Sequence, residues 1–404
     1  MDIKKIDWII FLLLILLMIS GVIAIYSAST SKIGDEFLTW NFYLKQLIWV
    51  FISLLFLFVL LKLPMPVIDL MIIPVYIITI IFLILVLFLP EIKGSHRWIF
   101  LGPVNFQPSE LAKLVTILFV AKLISKPYIT EWQILLRSFA VVLLPVILIL
   151  LEPDLGTALT LMISLFAMLL FSGLPVFFLI LIISPVLSII TSFSLPVFLI
   201  YILILLFLLY KTRLSLVAIG FAGVLNAFIF FITPVIWNGL KTYQQNRILS
   251  FIDPMRDPLG AGYQIIQSKI AIGSGNIFGK GFLMGTQKNL NFLPEHHTDF
   301  IFSVIGEEFG FFGCLIILVL FFVFLMRMMK GINKLKRPGM KYAGMGILSY
   351  LTFQVFVNIG MNIGIVPTTG IPLPFISYGG SNLLINVISV GIILKYLKER
   401  SIFE

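Results

Sequence analysis

Few side chains in this sequence can ionise, and several of those that can stand inside long apolar segments. Glu110 and Lys113 are three residues apart, so on a helix they share one face and can form an ion pair. Asp154 precedes another apolar segment, where a carboxylate can cap the start of a helix. Because charged groups are costly in a membrane, they usually face a protein interior or a water-filled cavity. These carboxylates alone do not distinguish an enzyme from a transporter, and structural ion pairs would give the same pattern.

A long segment between apolar runs, residues 236–298, concentrates further candidates. Asp253 and Asp257 each precede a proline, and glycines follow, a pattern that favours tight turns. The residues after them, 263–272, predict an interfacial or re-entrant helix. Six basic residues lie in the same segment, and their charge indicates an anionic ligand: Lys241, Arg247, Arg256, Lys269, Lys280 and Lys288.

Arg97 and Trp98 form another candidate contact, beside a Gly-Ser-His sequence between two apolar segments. The tryptophan is typical of an anchor at the membrane surface. The arginine is equally suited to bind the phosphate of a lipid, and both interpretations stay open.

A glycine-rich stretch around Gly279 and Lys280 resembles a phosphate-binding loop. That motif requires a glycine separated by four residues from the Gly-Lys pair, and Ser or Thr after the pair. Ser274 and Gly281 occupy those two positions, so we reject this interpretation.

The stretch Glu295, His296, His297 and Asp299 resembles a metal site. Neighbouring residues on one short stretch cannot all face a single ion, so metal binding is disfavoured here. Thr298 and Asp299 instead predict the N-cap and first-turn carboxylate of the next helix.

The elements that position these residues follow from composition. Hydrophobic residues make up 60% of the 404 residues and charged residues only 11%, with a mean hydropathy of +1.13. A soluble domain is about half apolar and a quarter charged. The net charge of +10 does not indicate a nucleic-acid partner, because the basic residues are dispersed among short loops. The lone Cys314 excludes a disulfide framework.

The sequence therefore predicts an all-α polytopic membrane protein with about 12 transmembrane helices, since about 20 apolar residues cross a bilayer as a helix. We expect the first run to be a retained anchor, because it is longer than the apolar region of a signal peptide. The predicted spans are residues 8–27, 45–62, 66–89, 108–125, 133–151, 155–172, 175–192, 196–210, 214–235, 299–325, 342–365 and 383–397.

Orientation follows from the 28 Lys and Arg residues, most of which fall in alternate short loops beside the ends of spans. The positive-inside rule assigns those loops, and with them both termini, to the cytoplasm. The connections on the other side, including residues 236–298, then face outward.

Six stretches resemble the SEDS family (shape, elongation, division and sporulation proteins), in family order and at family spacing. Gly-Thr-Gln at 285–287 and Thr-Gly-Ile-Pro at 369–372 resemble the RodA branch more than the division-specific FtsW branch. The six stretches are FQPSELAKL (106–114), EPDLGTAL (152–159), DPLGAGYQIIQSKIAIGSG (257–275), GKGFLMGTQ (279–287), FLPEHHTDFIFSVIGEEFGFFG (292–313) and PTTGIPLPFISYGGSN (367–382).

The resemblance implies one membrane domain over residues 1–404, with 236–298 as its large extracytoplasmic catalytic loop. It implies a peptidoglycan glycosyltransferase of the bacterial cytoplasmic membrane that acts in cell elongation. Such an enzyme polymerises lipid II, a disaccharide-pentapeptide linked to undecaprenyl pyrophosphate, together with a class B penicillin-binding protein. No cofactor and no nucleic acid is implied, and the sequence does not decide whether a divalent cation is needed.

The resemblance also assigns roles. Asp257 matches the essential aspartate of the family loop and is the expected catalytic base, with Asp253 as its rival. Glu110 would orient Lys113, and Asp154 would hold the cavity. The candidates for contacts with the pyrophosphate are Arg97, Lys113, Arg247 and Lys269.

One departure concerns residues 175–235, where three apolar runs replace the single run of a family that usually has about ten spans. The extra pair preserves the topology and predicts an additional transmembrane hairpin. Three alternative functions stay open: a lipid II flippase, a non-catalytic scaffold of the elongation or division machinery, and an ion-coupled transporter. Against the transporter, the motifs concentrate in an outer loop instead of in broken helices at the membrane midplane.

Overall fold

The computed structural model describes residues 6–33, 36–39, 41–90, 96–101, 104–212, 215–239, 245–246, 249–251, 253–256, 261–289 and 297–400. Nearly all regular structure in this part of the chain is helical, which confirms the predicted class. The helices are α1 (Trp8–Ala28), α2 (Phe42–Lys62), α3 (Met65–Val86), α4 (Pro108–Ile124), α5 (Glu131–Leu151), α6 (Leu155–Phe171), α7 (Val176–Thr191), α8 (Leu195–Lys211), α9 (Leu216–Gly239), α10 (Ala261–Ser274), α11 (Thr286–Asn289), α12 (Ile301–Asn333), α13 (Pro338–Ile363) and α14 (Gly380–Arg400). The strands are β1 (Thr30–Ile33), β2 (Glu36–Thr39), β3 (Ile99–Leu101) and β4 (Val104–Phe106).

Each predicted span coincides with one helix. Among the described residues, 8 helices are long and apolar enough to cross a membrane, and α6, α7 and α8 are apolar but shorter. The 17-residue α4 carries the charges of Glu110, Lys113 and Lys122. The chain is therefore a multi-pass membrane protein. The two short hairpins, β1 with β2 and β3 with β4, were not foreseen.

Helices α13 and α14 form the centre of the bundle. Their apolar windows are 67% and 78% buried inside the protein, against 11% to 39% for the other long spans. α14 packs against α2, α13 packs against α6, α12 and α4, and α1 packs along α12. Polar residues on these central helices consequently face protein and not lipid.

Helices α7, α8 and α9 form an outlying bundle at the position of the predicted extra hairpin. Asn226 of α9 is fully buried and donates a hydrogen bond to Ser184 Oγ at 3.1 Å. Its Oδ1 accepts hydrogen bonds from Ser188 at 2.6 Å and Tyr201 at 3.0 Å. Hydrogen bonds between helices in an apolar environment hold the helices together. This network therefore ties α7, α8 and α9 to one another.

One of the two predicted helix caps is confirmed. Asp154 is the N-cap of α6, and its side chain accepts a hydrogen bond from the amide of Thr157. The predicted cap at Thr298 and Asp299 is wrong, because α12 begins at Ile301 and its N-cap is Phe300, with no side-chain cap. The Asp299 carbonyl, in the turn before α12, instead accepts hydrogen bonds from two asparagine side chains of α13. These tertiary contacts fix the turn without a cap.

Helix α12 is interrupted at Gly310, whose φ of 64° and ψ of −159° are not helical. Residues 275–281, hereafter the plug, fill this break with their backbone. The Lys280 amide donates to the Glu307 carbonyl at 3.0 Å, and amides after the break donate to carbonyls of the plug. Gly279 has a φ of 83°, and a Cβ on it would overlap the backbone of α12. The glycine-rich stretch therefore closes a broken helix.

Candidate functional site

Three helices begin at the same end of the bundle. α4 starts after Gln107, α6 starts after Asp154 and α14 starts at Gly380. Gln107 joins them, because its side chain donates to Asp154 Oδ2 at 3.2 Å and its amide donates to Ser381 Oγ at 3.2 Å. Helix N-termini carry partial positive charge. We call the side chains gathered here the polar cluster, which comprises Arg97, Gln107, Glu110, Lys113, Glu152, Asp154 and Asn382.

The predicted ion pair lies at the centre of the polar cluster. Lys113 Nζ is 2.8 Å from Glu110 Oε2, and the two side chains are 1% and 5% exposed. Asn382 of α14 donates to the same carboxylate oxygen at 3.0 Å, and the Lys113 ammonium lies 5.7 Å from the centre of the Tyr350 ring. The pair thus links α4 to α13 and α14.

Both carboxylate oxygens of Asp154 accept hydrogen bonds from other residues of the protein. Its Oδ1 accepts from the Thr157 amide at 3.2 Å, and its Oδ2 accepts from Thr157 Oγ1 at 2.9 Å and from Gln107. The residue is 6% exposed. This geometry suits a side chain that positions α6 against α4.

Arg97 holds the turn between α5 and α6. Its Nε donates to the Glu152 carbonyl at 3.2 Å, and its Nη2 donates to the Pro153 carbonyl. The Glu152 carboxyl is fully buried and has no hydrogen-bond partner among the described residues. Burial and, to a smaller extent, the charge of Asp154 raise the pKa of Glu152 to about 9, although Arg97 opposes the shift. The raised pKa favours the neutral acid at pH 7.

The segment 236–298 contains α10, which confirms the helix predicted at 263–272. Ser268 of this helix contacts the core of the bundle. Ser268 Oγ is 2.5 Å from Ser303 Oγ of α12 and donates to the Asn362 carbonyl of α13 at 2.6 Å. Lys269 is exposed beside Gly364 at the end of α13, and the contacts of the polar cluster do not include it.

Asp257 and Arg247 lie outside the described residues. The rival Asp253 is exposed, and its Oδ1 accepts from the Met255 amide at 3.1 Å at the start of a short 3₁₀ helix, Pro254–Arg256. That carboxylate therefore stabilises a local turn.

A second buried carboxylate site was missed. Glu307 Oε1 accepts from Lys280 Nζ at 2.7 Å, from Thr286 Oγ1 at 2.8 Å and from the Thr286 amide at 2.7 Å. The next residue, Glu308, accepts from Ser27 of α1 at 2.5 Å. The sequence contained a clue to this site. Glu307 and Glu308 are an acidic pair inside a predicted span, and Lys280 is a basic residue in the segment before it. Lys280 accordingly has a structural partner in the protein.

The polar cluster combines buried acids, two cations and the N-termini of three helices. Such an arrangement favours a bound or developing negative charge, because oriented amides and cations act strongly where water is excluded. Among the described residues no group of three or more His, Cys, Asp or Glu residues could hold a metal ion.

Comparisons with known proteins agree along the chain. A family of cell cycle proteins, FtsW, RodA and SpoVE, matches residues 7–202 and again 182–402, and the two matches overlap within α7 and α8. The peptidoglycan glycosyltransferase MrdB of Escherichia coli (strain K12) is 38% identical over 318 residues, which cover 77% of this chain and 73% of that protein. A probable peptidoglycan glycosyltransferase FtsW of Geobacter sp. (strain M18) is 33% identical over 396 residues, covering 96% and 95%.

Solved structures give the same result. A chain from a peptidoglycan synthase complex, described for its coordination of polymerization and crosslinking, has a TM-score of 0.72 and 28% identity, with 98% of each chain covered. The rod shape determining protein RodA of Thermus thermophilus has a TM-score of 0.64 and 26% identity, covering 98% of this chain and 97% of that one.

Proposed function

The chain belongs to the FtsW, RodA and SpoVE family of cell cycle proteins, and on this premise we propose that it is a peptidoglycan glycosyltransferase. It polymerises lipid II into glycan strands at the outer face of the bacterial cytoplasmic membrane. The observation that carries this proposal is the 38% identity to a relative named as a peptidoglycan glycosyltransferase, over 77% of the chain.

The reaction joins two sugars. The 4-hydroxyl of one sugar attacks the anomeric carbon that ends the growing chain, and a new C–O bond forms there. The bond from that carbon to the lipid pyrophosphate breaks, and the pyrophosphate leaves with the electron pair. Catalysis needs a base for the hydroxyl proton and positive charge near the leaving group.

Asp257 is the proposed base. It stands in an Asp-Pro-Leu-Gly sequence directly before α10, and α10 is tied to α12 and α13 through Ser268. A carboxylate that precedes a fixed helix by only a few residues in the sequence suits the positional demand of proton transfer. Asp253 is the weaker candidate, since its carboxylate already accepts from a backbone amide.

Positive charge for the pyrophosphate comes from Arg97, Lys113, Arg247 and Lys269. Lys113 acts from a buried pair that Glu110 orients, whereas Lys269 is exposed and can meet a phosphate directly. Asp154 holds the cavity by fixing α6 to α4. The N-termini of α4, α6 and α14 add to the positive potential.

The physiological role follows the RodA branch. The stretches at 285–287 and 369–372 favour cell elongation and rod-shape maintenance over division. The partner is a class B penicillin-binding protein that crosslinks the strands, and the likeness to a chain of a peptidoglycan synthase complex supports it. Both termini lie in the cytoplasm, as the basic loops favour.

Purified protein incubated with lipid II and its partner tests the activity, with glycan strands resolved on a gel. Asp257→Asn should lower polymerisation by roughly 10²–10⁴-fold, because the amide is no useful base. Asp253→Asn is the matched control, with the same chemical change in the neighbouring turn, and should keep most of the activity. Both variants should elute as folded protein and retain the partner.

Three outcomes would contradict parts of this proposal. Normal glycan output from folded Asp257→Asn protein would contradict the assignment of Asp257 as the catalytic base. Loss of folded protein together with activity would make Asp257 a brace of the loop. Absence of polymer from the wild-type complex would overturn the function and favour the flippase or the scaffold.

A further inference from the structure

A cavity, hereafter the inner cavity, lies at the other end of the bundle from the polar cluster. It has a volume of about 300 Å³ and lies between α3, α4, α13 and α14. α4 separates the two places, since Glu110 is near its start and Lys122 near its end, a rise of roughly 18 Å. The cavity is therefore no part of the proposed catalytic site. In the proposed topology it opens toward the cytoplasmic leaflet.

The walls of this inner cavity carry more positive than negative charge. Lys122 and Arg337 line it, together with Asp69. Lys122 Nζ donates to the backbone carbonyl of Asp69 at 2.7 Å, a neutral acceptor that leaves the ammonium charge uncompensated. Arg337 is the N-cap of α13 and provides no side-chain cap, so the first-turn amides at Gly339 and Met340 add positive potential at the same wall.

A tyrosine of α14 contributes a hydroxyl to the same cavity. Tyr396 lines the cavity and is only 4% exposed. A phenolic hydroxyl can both donate and accept a hydrogen bond. A ligand in the cavity can therefore accept a hydrogen bond from Tyr396.

The rest of the lining is apolar. Met65 and Ile72 of α3 and Leu118 of α4 are buried side chains that face this space. A small inorganic anion would leave the apolar wall without contacts. A ligand that matches the basic wall and the apolar wall has an anionic head and an apolar tail. The volume of the cavity is at the lower end of the range for small-molecule sites.

We propose that the inner cavity binds the phosphodiester of an anionic phospholipid that carries a hydroxyl-bearing headgroup, such as phosphatidylglycerol. The phosphate lies between Lys122 and Arg337 and accepts a hydrogen bond from Tyr396. The Asp69 carboxylate accepts hydrogen bonds from the headgroup hydroxyls, and the apolar wall takes the start of the acyl chains. Basic pockets between transmembrane helices on the cytoplasmic side suit such lipids.

Native mass spectrometry of the purified full chain tests this site. The detergent-solubilised protein is titrated with phosphatidylglycerol, with phosphatidylcholine, and separately with soluble glycerol 3-phosphate. Phosphatidylglycerol should be retained at least tenfold more strongly than phosphatidylcholine, and glycerol 3-phosphate should not displace it.

Variants locate the binding. The double change Lys122→Gln/Arg337→Gln should weaken phosphatidylglycerol retention by roughly tenfold or more, since it removes two charge-assisted contacts. Tyr396→Phe removes only the hydroxyl and should weaken it a few-fold, so it serves if the double variant does not fold. Lys330→Gln, a change at an exposed lysine outside the cavity, is the matched control and should bind normally.

The outcomes separate this site from the catalytic proposal. Asp257→Asn protein should still retain phosphatidylglycerol, because the lipid site does not depend on glycosyl transfer. Equal retention of phosphatidylcholine, or unchanged retention in Tyr396→Phe and the double variant, would overturn the site. Displacement by glycerol 3-phosphate at similar concentration would overturn the lipid as its source and identify a soluble phosphate.

Discussion

Glu110 and Lys113 bury two opposite charges at the start of α4, and each compensates the other. Removing one member of a buried pair leaves an uncompensated charge, at a cost of about 3–5 kcal/mol, while removing both can be nearly neutral. We therefore expect Lys113→Gln to destabilise the protein more than the double change Glu110→Gln/Lys113→Gln. Thermal unfolding of the detergent-solubilised protein measures the difference.

Polymerisation by the same variants separates structure from catalysis. Both should lose activity if the Lys113 charge assists the departure of pyrophosphate, even where the double variant recovers stability. Lys330→Gln, at an exposed site, should change neither quantity. A double variant as unstable as Lys113→Gln would contradict the compensation argument.

Glu152 predicts a pH dependence of stability. Its pKa is raised to about 9 by burial, above the ordinary value near 4.5 in the unfolded chain. A raised folded pKa means that the contribution to stability is full below pH 4.5 and is lost as the pH rises toward 9. At pH 7 and above, Glu152→Gln should therefore raise the melting temperature, because the neutral amide loses no stability with rising pH.

Melting temperatures measured from pH 5 to pH 9 test this expectation. The wild type should lose more stability than Glu152→Gln over that range, and the two should converge at the acid end. Parallel curves would mean that the Glu152 carboxyl is ionised in the folded protein.

Spacing along one helix was enough to foresee the Glu110–Lys113 pair, because residues three apart share a face. The cap at Asp154 was equally local. Glu152 and the site around Glu307 were missed, because burial and partners far along the chain define them. Lys280, for example, is 27 positions from Glu307 in the sequence, and no local pattern joins them.

At the scale of elements, the plug and the break in α12 depend on each other. Gly279→Ala should destabilise the protein by roughly 1–3 kcal/mol or more, since it adds a strained φ and an overlap with α12. Gly273→Ala is the matched control: Gly273 lies in α10, and a Cβ there meets no atom within 4 Å. Yield of folded protein and melting temperature give the readout.

Equal stability of the two alanine variants would contradict the close packing of the plug. A larger loss for Gly279→Ala, together with wild-type behaviour of Gly273→Ala, would confirm it.

Long apolar runs with polar ends predicted most helix ends to within about four residues, but α12 continues to Asn333, well beyond the predicted end at residue 325. The break at Gly310 was not predicted, because the expected span ran through it and isolated glycines are tolerated inside a helix. The two short β-hairpins were missed as well, since three- or four-residue strands leave little pattern.

At the scale of the molecule, orientation is the open expectation. A cysteine placed at Lys288 should react with a membrane-impermeant thiol reagent in intact spheroplasts, because the positive-inside rule predicts that residues 236–298 face outward. A cysteine placed at Lys334 should be protected until the membrane is opened. The native Cys314 is buried, so it should add little background. Labelling at 334 with protection at 288 would reverse the topology.

In the outlying bundle, the sequence predicted the number of helices but not their packing. Apolar runs and the basic break near Lys211 predicted three helices in residues 175–235. Their packing was unpredictable, because it depends on the buried Asn226 meeting Ser184 and Ser188 on another helix.

The plug has a consequence for biosynthesis. Residues 275–281 leave the ribosome before Ile301–Asn333, so the plug cannot dock until that helix has been synthesised. The first turns of that helix carry Glu307 and Glu308, which suit lipid poorly until Lys280 and Ser27 cover them. The remainder, beyond Gly310, is apolar enough to insert by itself. We therefore expect this helix to enter the bilayer in two stages, with its outer portion docking last onto a bundle already assembled.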